Sequence, residues 1–193
     1  MKILISGVVG FIGRLTPRKG VEYFIKAIPK VLKRCPYTMF VIVGSIDSKD
    51  DEPYGRYLIE LGKNLNIEQN ILYVGSVHGE AYLRWLAALD TLVFTSPIDA
   101  SPMVVLEAMA MAKPVVVASE GGAKEEIIDG VTGIYVKPKD VDGIADAIVQ
   151  IVSNKEIASA MGLAGRKHVE EKFDETLYVS TIESIYKNLL SRY

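Results

Sequence analysis

The amino-acid sequence predicts an α/β fold, a parallel sheet with helices on both faces. Three observations carry this. Short apolar runs alternate with amphipathic helical patterns along most of the chain. The runs are almost continuously apolar, as strands covered on both faces must be, rather than alternating apolar and polar. Each run leads into a helical pattern, so successive strands are joined by right-handed crossovers and lie parallel.

Val8–Ile12 is an apolar run and the first strand. Gly20–Arg34 is a helix whose stripe is Val21, Phe24, Ile25, Ile28, Val31 and Leu32, with Cys35 just beyond. Pro29 lies inside it and is expected to kink it. Met39–Val43 is the second strand, and the polar stretch 45–55, SIDSKDDEPYG, reads as a loop. Arg56–Leu65 is helical, Ile71–Val74 a strand and Glu80–Leu89 a helix. Thr91–Thr95 is a strand, Pro102–Ala112 a helix and Pro114–Ala118 a strand. A short helix over Gly122–Asp129 and a short strand over Gly133–Val136 come next. The helix Val141–Val152 buries Val141, Ile144, Ala145, Ile148 and Ile151. The tail, 155–193, reads as two helices, about 155–171 and 175–191. Together these make a Rossmann-like domain. Ligands of such sheets bind outside the carboxyl ends of the strands, which singles out the loops 13–20, 44–55, 75–79, 96–101 and 119–122.

Composition narrows the function. At 193 residues the chain suits one domain with a sizeable core. Residues are 49% hydrophobic and 24% charged, which argues against disorder. A net charge of −2 provides no bulk attraction for nucleic acid. The single cysteine, Cys35, forms no internal disulfide and points to a reducing, cytoplasmic home. No apolar run reaches the roughly 20 residues of a membrane helix. Two histidines and one cysteine, far apart, make no metal-ligand set, so no metal is expected.

The opening, S-G-V-V-G-F-I-G, raises a dinucleotide fingerprint through Gly7, Gly10 and Gly13. That reading needs a strand over Lys2–Ser6 and a helix directly after Gly13. The residues after Gly13 are R-L-T-P-R-K-G, whose Pro17 and Gly20 oppose a helix. The acidic residue expected about 20 residues on is also missing, since the first candidate is Asp47. The one Tyr-x-x-x-Lys pair, Tyr135 and Lys139, encloses Pro138. The NAD(P)-dependent alternative is therefore the weaker one.

Three other constellations carry chemistry. Arg14 and Lys19 flank a tight loop at the end of the first strand, either as surface cations or as a clamp for a diphosphate. In S-P-I-D-A-S-P-M-V-V-L-E-A-M-A, Ser101 is placed to cap a helix with Pro102 in its first turn. The N–H groups of Met103 and Val104 would then face an anion. Asp99 precedes this helix, and Glu107 lies on it among apolar residues, where it needs partners such as ribose hydroxyls. Lastly, Gly121–Gly122 follows a strand and permits close backbone approach.

The ordered set is G-R-L-x-x-x-K-G, a strand ending in V-G, Asp-x7-Glu running into E-A-M-A, then G-G-x-x-E-x-I-x-D-G-x-T-G. It resembles the C-terminal, donor-binding domain of the retaining glycosyltransferases of GT-B fold, group 1 or family 4, from about Val8 to the last helices. The resemblance implies that Arg14 and Lys19 bind the diphosphate of a nucleotide-sugar, and that Asp99 contacts the donor sugar. It implies that Glu107 holds the ribose and that Met103 and Val104 offer N–H groups to the phosphates. Ser76 and Val77 would lie near the nucleobase, with Gly13, Gly44, Gly121 and Gly122 lining the site. His78 is read as a loop residue and His168 as structural. The family usually has Glu at Asp99, and often Gly at Pro102, so the carboxylate here is one methylene shorter and one N–H donor is gone.

Such enzymes use two domains, with the acceptor (a glycan, lipid or small molecule) held by the other. Residues 1–7 read as a leader of uncertain origin. The expectation is a chain that binds a UDP- or GDP-sugar but turns over little alone, with no metal or cofactor. It would expose an apolar interdomain face able to drive homo-oligomerisation, and the full-length enzyme could associate with a membrane. A non-catalytic nucleotide-binding module is the remaining alternative.

Overall fold

The computed structural model of the chain describes residues 7–45 and 52–191. Its main sheet has six strands: β1 (Gly7–Ile12), β2 (Thr38–Val43), β3 (Ile71–Gly75), β4 (Thr91–Phe94), β6 (Val115–Val117) and β8 (Gly133–Tyr135). They lie in the order β3-β2-β1-β4-β6-β8, and every neighbouring pair is parallel. A separate ribbon pairs β5 (Ile98–Asp99) with β7 (Glu120–Gly121), also in parallel.

The helices are α1 (Val21–Arg34), α2 (Glu52–Asn64), α3 (Gly79–Ala88), α4 (Met103–Ala110), α5 (Gly122–Glu125), α6 (Val141–Ser153), α7 (Lys155–Lys172) and α8 (Glu175–Leu190). Successive strand residues serve opposite faces. Phe11, Phe40, Ile42, Val93 and Val116 join Phe24, Ile28, Leu58, Ile144 and Ile148 from α1, α2 and α6. Ile12, Val41, Leu92, Phe94, Val115 and Val117 join Leu86, Val105, Ala108 and Met109 from α3 and α4. A strand that must be apolar at both parities is a continuous apolar run, which is why these strands stand out in the sequence. Phe24 sits at the centre of one core, its ring centroid 6.4 Å from Phe11 and 5.9 Å from Phe40. Each such ring contributes roughly 1.5–3 kcal/mol by burial.

The structure corrects several boundaries. α2 begins at Glu52, so the last four residues of the expected 45–55 loop are helical, while 46–51 lie outside the described residues. Pro53 is tolerated in the first turn, where no intrahelical N–H is needed. Tyr54 packs there and its hydroxyl donates to Glu22 of α1. α1 contains Pro29, as expected, and begins at Val21, one residue after the expected Gly20. α5 stops at Glu125, short of Asp129, because Thr132 Oγ1 accepts from Ile128 N and Gly130, at φ 74°, turns the chain.

The fingerprint geometry is absent. Gly7 and Gly10 lie inside β1, paired with Thr38 and Val41, and not in a turn. A Cβ at Gly10 would meet the Leu89 side chain at 2.3 Å, so that glycine serves close packing. Gly13 leads into a 3₁₀ turn at Pro17–Lys19, and the first helix waits until Val21. Residues 1–6, including the expected strand Lys2–Ser6, lie outside the described residues.

Candidate functional site at the strand-order switch

Strand order reverses between β1 and β4, which places a crevice outside their carboxyl ends. After β1 the chain continues the ladder irregularly, with Gly13 N donating to Val43 O at 2.9 Å and Leu15 N to Ser45 O at 3.0 Å. The 3₁₀ turn comes next, and Gly20, at φ 65°, ends it. A Cβ on Gly20 would lie 2.5 Å from Thr95 O, so two loops pass there in backbone contact.

Two fully buried hydroxyls at the end of β4 pin that turn. Thr95 Oγ1 donates to Lys19 O at 3.1 Å. Ser96 Oγ lies 3.1 Å from Arg18 O and 3.2 Å from Ile98 O, its single proton serving one at a time. Lys19 is thereby aimed across the crevice. Its Nζ donates to Asp99 Oδ2 at 2.5 Å, with side-chain exposures of 15% and 14% for the pair. The Arg18 guanidinium stands 3.9 Å from the same oxygen. Lys19 Nζ also sits 5.7 Å over the Phe94 ring.

Two adjoining cavities occupy the crevice. The larger, about 330 Å³, is walled by Gly13, Arg14, Lys19, Tyr82, Asp99, Ser101, Met103 and Val104, among others. The smaller, about 230 Å³, is walled by Gly13, Arg14, Gly44, Ser45, Ser76, Val77, His78 and Tyr82, among others. Arg14 stands at the junction of the two, exposed on the rim. The first-turn N–H groups of Met103 and Val104 have no carbonyl ahead of them within α4.

Most expected site residues therefore meet: Gly13, Arg14, Lys19, Asp99, Met103 and Val104 at one cavity, and Gly44, Ser76 and Val77 at the other. Ser76 Oγ and His78 Nε2 are 3.3 Å apart, with His78 at the start of α3. His168 packs edge-on against Phe173, 5.7 Å between ring centroids, away from both cavities. Glu107 walls neither cavity directly; Tyr82, which walls both, donates its hydroxyl to it. Burial, that hydrogen bond and the Glu107 charge all push the Tyr82 hydroxyl pKa up. Gly121 and Gly122 wall neither cavity. Their close approach is to the backbone of Asp99 and Ala100, where a Cβ on Gly122 would lie 1.6 Å from Ala100 O.

Ser101 does not cap α4 as expected; Pro102 takes the cap position. The Ser101 hydroxyl instead donates to Glu126 Oε1 at 2.9 Å. Glu126 is 4% exposed, and its Oε2 is the one buried polar side-chain atom without a hydrogen-bond partner among the described residues. Burial pushes its pKa up to about 7, opposed by the Ser101 hydrogen bond and assisted by the Asp99 charge. The sequence motif points one residue earlier, to Glu125, which is exposed. Sequence reasoning misses Tyr82, Thr95, Ser96, Ser101 and Glu126 in these roles, because each acts through a contact between segments distant in the sequence. Among the described residues no group of three or more His, Cys, Asp and Glu side chains is placed to hold a metal ion. None of their helices is long and apolar enough to cross a membrane.

The parallel six-stranded sheet with helices around it matches the Rossmann-like domains of GT-B glycosyltransferases. The profile of the family described as "Glycosyl transferases group 1" matches residues 6–168, and the chain belongs to that family. It is 35% identical over 177 residues to an uncharacterized glycosyltransferase of Methanocaldococcus jannaschii, covering 92% of this chain and 44% of that protein. It is 33% identical over 168 residues to the GDP-mannose-dependent alpha-(1-6)-phosphatidylinositol monomannoside mannosyltransferase of Mycolicibacterium smegmatis, covering 82% and 42%. The crystal structure of Anabaena HepE in complex with UDP superposes with a TM-score of 0.85 at 26% identity, over 99% of this chain and 50% of that one. The C-terminal domain of a Francisella tularensis group 1 glycosyl transferase, LpcC, superposes with a TM-score of 0.81 at 26% identity, over 88% and 87%. The chain thus spans less than half the length of the curated relatives it matches and corresponds to the C-terminal domain of the fold.

Proposed function

We propose that this chain binds the nucleotide-diphosphate-sugar donor of a retaining glycosyltransferase that moves a hexose to an acceptor. The observation that carries this reading is one cavity that gathers Arg14, Lys19 and the first turn of α4. A diphosphate seated there meets two cations and a helix start, which favour the charge that builds on the phosphates as the sugar departs. In this reading no divalent ion or other cofactor is called on. Asp99 holds Lys19 until the donor arrives, then turns to the hydroxyls of the sugar. Glu107, oriented by Tyr82, receives the ribose, and the smaller cavity beside Ser76 and Val77 receives the base.

The relatives support a nucleotide-sugar of either base: one is named for GDP-mannose, and a structural neighbour is a complex with UDP. A second domain, beyond this chain, would present the acceptor from across the crevice. The isolated chain is then expected to bind the donor and transfer little or nothing.

The test is thermal unfolding of the chain with UDP, GDP, ADP, UDP-glucose, GDP-mannose and NAD(P), beside the variant Arg14→Ala/Lys19→Ala. A ligand at 100 times its Kd adds about 2.7 kcal/mol. Stabilisation by one nucleoside diphosphate or its sugar, lost in the variant, is the expected result. Stabilisation by NAD(P) alone, or by nothing offered, overturns the reading, the latter in favour of a non-catalytic module.

A further inference from the structure

Glu126 is a costly residue to bury, and sugar transfer at the crevice does not use it. One oxygen takes the Ser101 hydroxyl and the other has no partner. Yet its position is not arbitrary. Ser101 lies between Asp99 and α4 and walls the larger cavity. Three contacts hold this segment against the loop that leads to Glu126: the pairing of Ile98–Asp99 with Glu120–Gly121, the backbone passage of Ala100 over Gly122, and the Ser101–Glu126 hydrogen bond. The third is the one made by an ionisable group.

We propose that Glu126 is a positioning residue of the donor site: its buried carboxyl fixes the Asp99–Ser101 segment through Ser101, and it takes up a proton when the anionic donor binds. The proposal rests on the donor-binding reading.

The charges around it set the sign. Asp99 lies near enough for its charge to push the Glu126 pKa up. Lys19 and Arg18 now partly neutralise Asp99. Lys124 and Glu125, exposed, precede Glu126 on its own segment, and Lys124 is engaged by Glu120 and the ring of Tyr135. A diphosphate that draws Lys19 away leaves Asp99 uncompensated and adds negative charge of its own. Both changes disfavour a second buried anion, so the carboxyl is driven toward its neutral form. With a pKa of about 7 in the free protein, it is half ionised at neutral pH and has a proton to gain.

The experiment is titration calorimetry of the full chain with UDP-glucose and with GDP-mannose, in buffers of differing ionisation heat, from pH 5.5 to 9. Nucleotide-sugars are the right probes. Their phosphates carry no proton that titrates near neutrality, whereas a terminal phosphate does, with a second pKa of about 6. The wild type is expected to take up about half a proton per donor bound near pH 7, with uptake vanishing at both ends of the range. Its affinity falls up to about tenfold as pH rises, for a shift of one unit in the carboxyl. Glu126→Gln keeps an acceptor for Ser101 but no titration, so it should bind with neither uptake nor this pH dependence. Ser101→Ala, which removes the hydrogen bond that favours the ionised form, should move the uptake maximum to higher pH. Binding with no uptake in the wild type, or equal uptake in Glu126→Gln, overturns the proposal and leaves the donor site standing. Binding of neither nucleotide-sugar overturns both.

Discussion

At the scale of single residues, the Lys19–Asp99 pair decides what a ligand must displace. Both side chains are largely buried and 2.5 Å apart, so a phosphate competes with a carboxylate already in place. Asp99→Asn should therefore tighten binding of a free nucleoside diphosphate, by up to about tenfold or ~1.4 kcal/mol. It should give the nucleotide-sugar no such gain, because the sugar loses its carboxylate. The fold should weaken by about 2 kcal/mol, since a shielded ammonium is left without its anion. Calorimetry with UDP against UDP-glucose, and urea unfolding, check the two halves. Glu126 bears separately on stability. Its pKa is raised in the folded state to about 7, above its ordinary value. Such a group leaves stability intact below the unfolded pKa and removes it as pH rises through the folded one. The loss between about pH 4.5 and 7.5 reaches at most about 3 kcal/mol. Urea midpoints across that window should fall more steeply for the wild type than for Glu126→Gln, and parallel curves would refute it. Arg14 and Lys19 were legible in the sequence because their loop comes directly after an obvious strand and their spacing forms a motif. Glu126 and Tyr82 were not, since each finds its partner 25 residues away, with no pattern linking the two.

At the scale of elements, the six strands of the main sheet could be read because each is apolar on both faces. The β5–β7 ribbon could not. Two residues on each side are too few to carry a pattern, and they pair only because two loops are pressed together at Gly122 and Ala100. The same crowding shows how the ribbon serves the site. Gly122→Ala would place a Cβ 1.6 Å from a backbone oxygen, a clash that no rotamer relieves. The loops must part, and Asp99 must move with them. The expected cost is about 3 kcal/mol of stability. Affinity for a nucleotide-sugar should fall more than affinity for the free nucleoside diphosphate, because the backbone of Arg18 and Lys19 is anchored separately by Thr95 and Ser96. Equal losses for both ligands would mean that the ribbon supports the whole crevice rather than the sugar end of it.

At the scale of the whole molecule, α8 departs from the pattern of the rest. The other long helices bury residues against the sheet or a neighbouring helix, whereas α8 buries none. Leu177, Tyr178, Val179, Ile185, Tyr186, Leu189 and Leu190 are all exposed on it. A cavity of about 600 Å³, lined in part by Leu177 and Tyr178, separates its first turns from Met103 and Leu106 of α4. Helix formation alone does not hold 16 residues in place in water; a packed face normally does. Seven exposed apolar side chains on one helix mark a contact. The second domain proposed above would cover it, and without one two copies of the chain should cover each other. Sedimentation of the isolated chain should therefore show association that grows with concentration in the micromolar range. The double variant Leu177→Glu/Tyr186→Glu should return it to a monomer while changing the unfolding free energy of that monomer by less than about 1 kcal/mol, as expected for side chains that are exposed in the chain alone. A wild type that stays monomeric at about 100 µM, roughly a hundredfold above a micromolar Kd, would mean that α8 is already satisfied and would remove the structural case for a domain docked upon it.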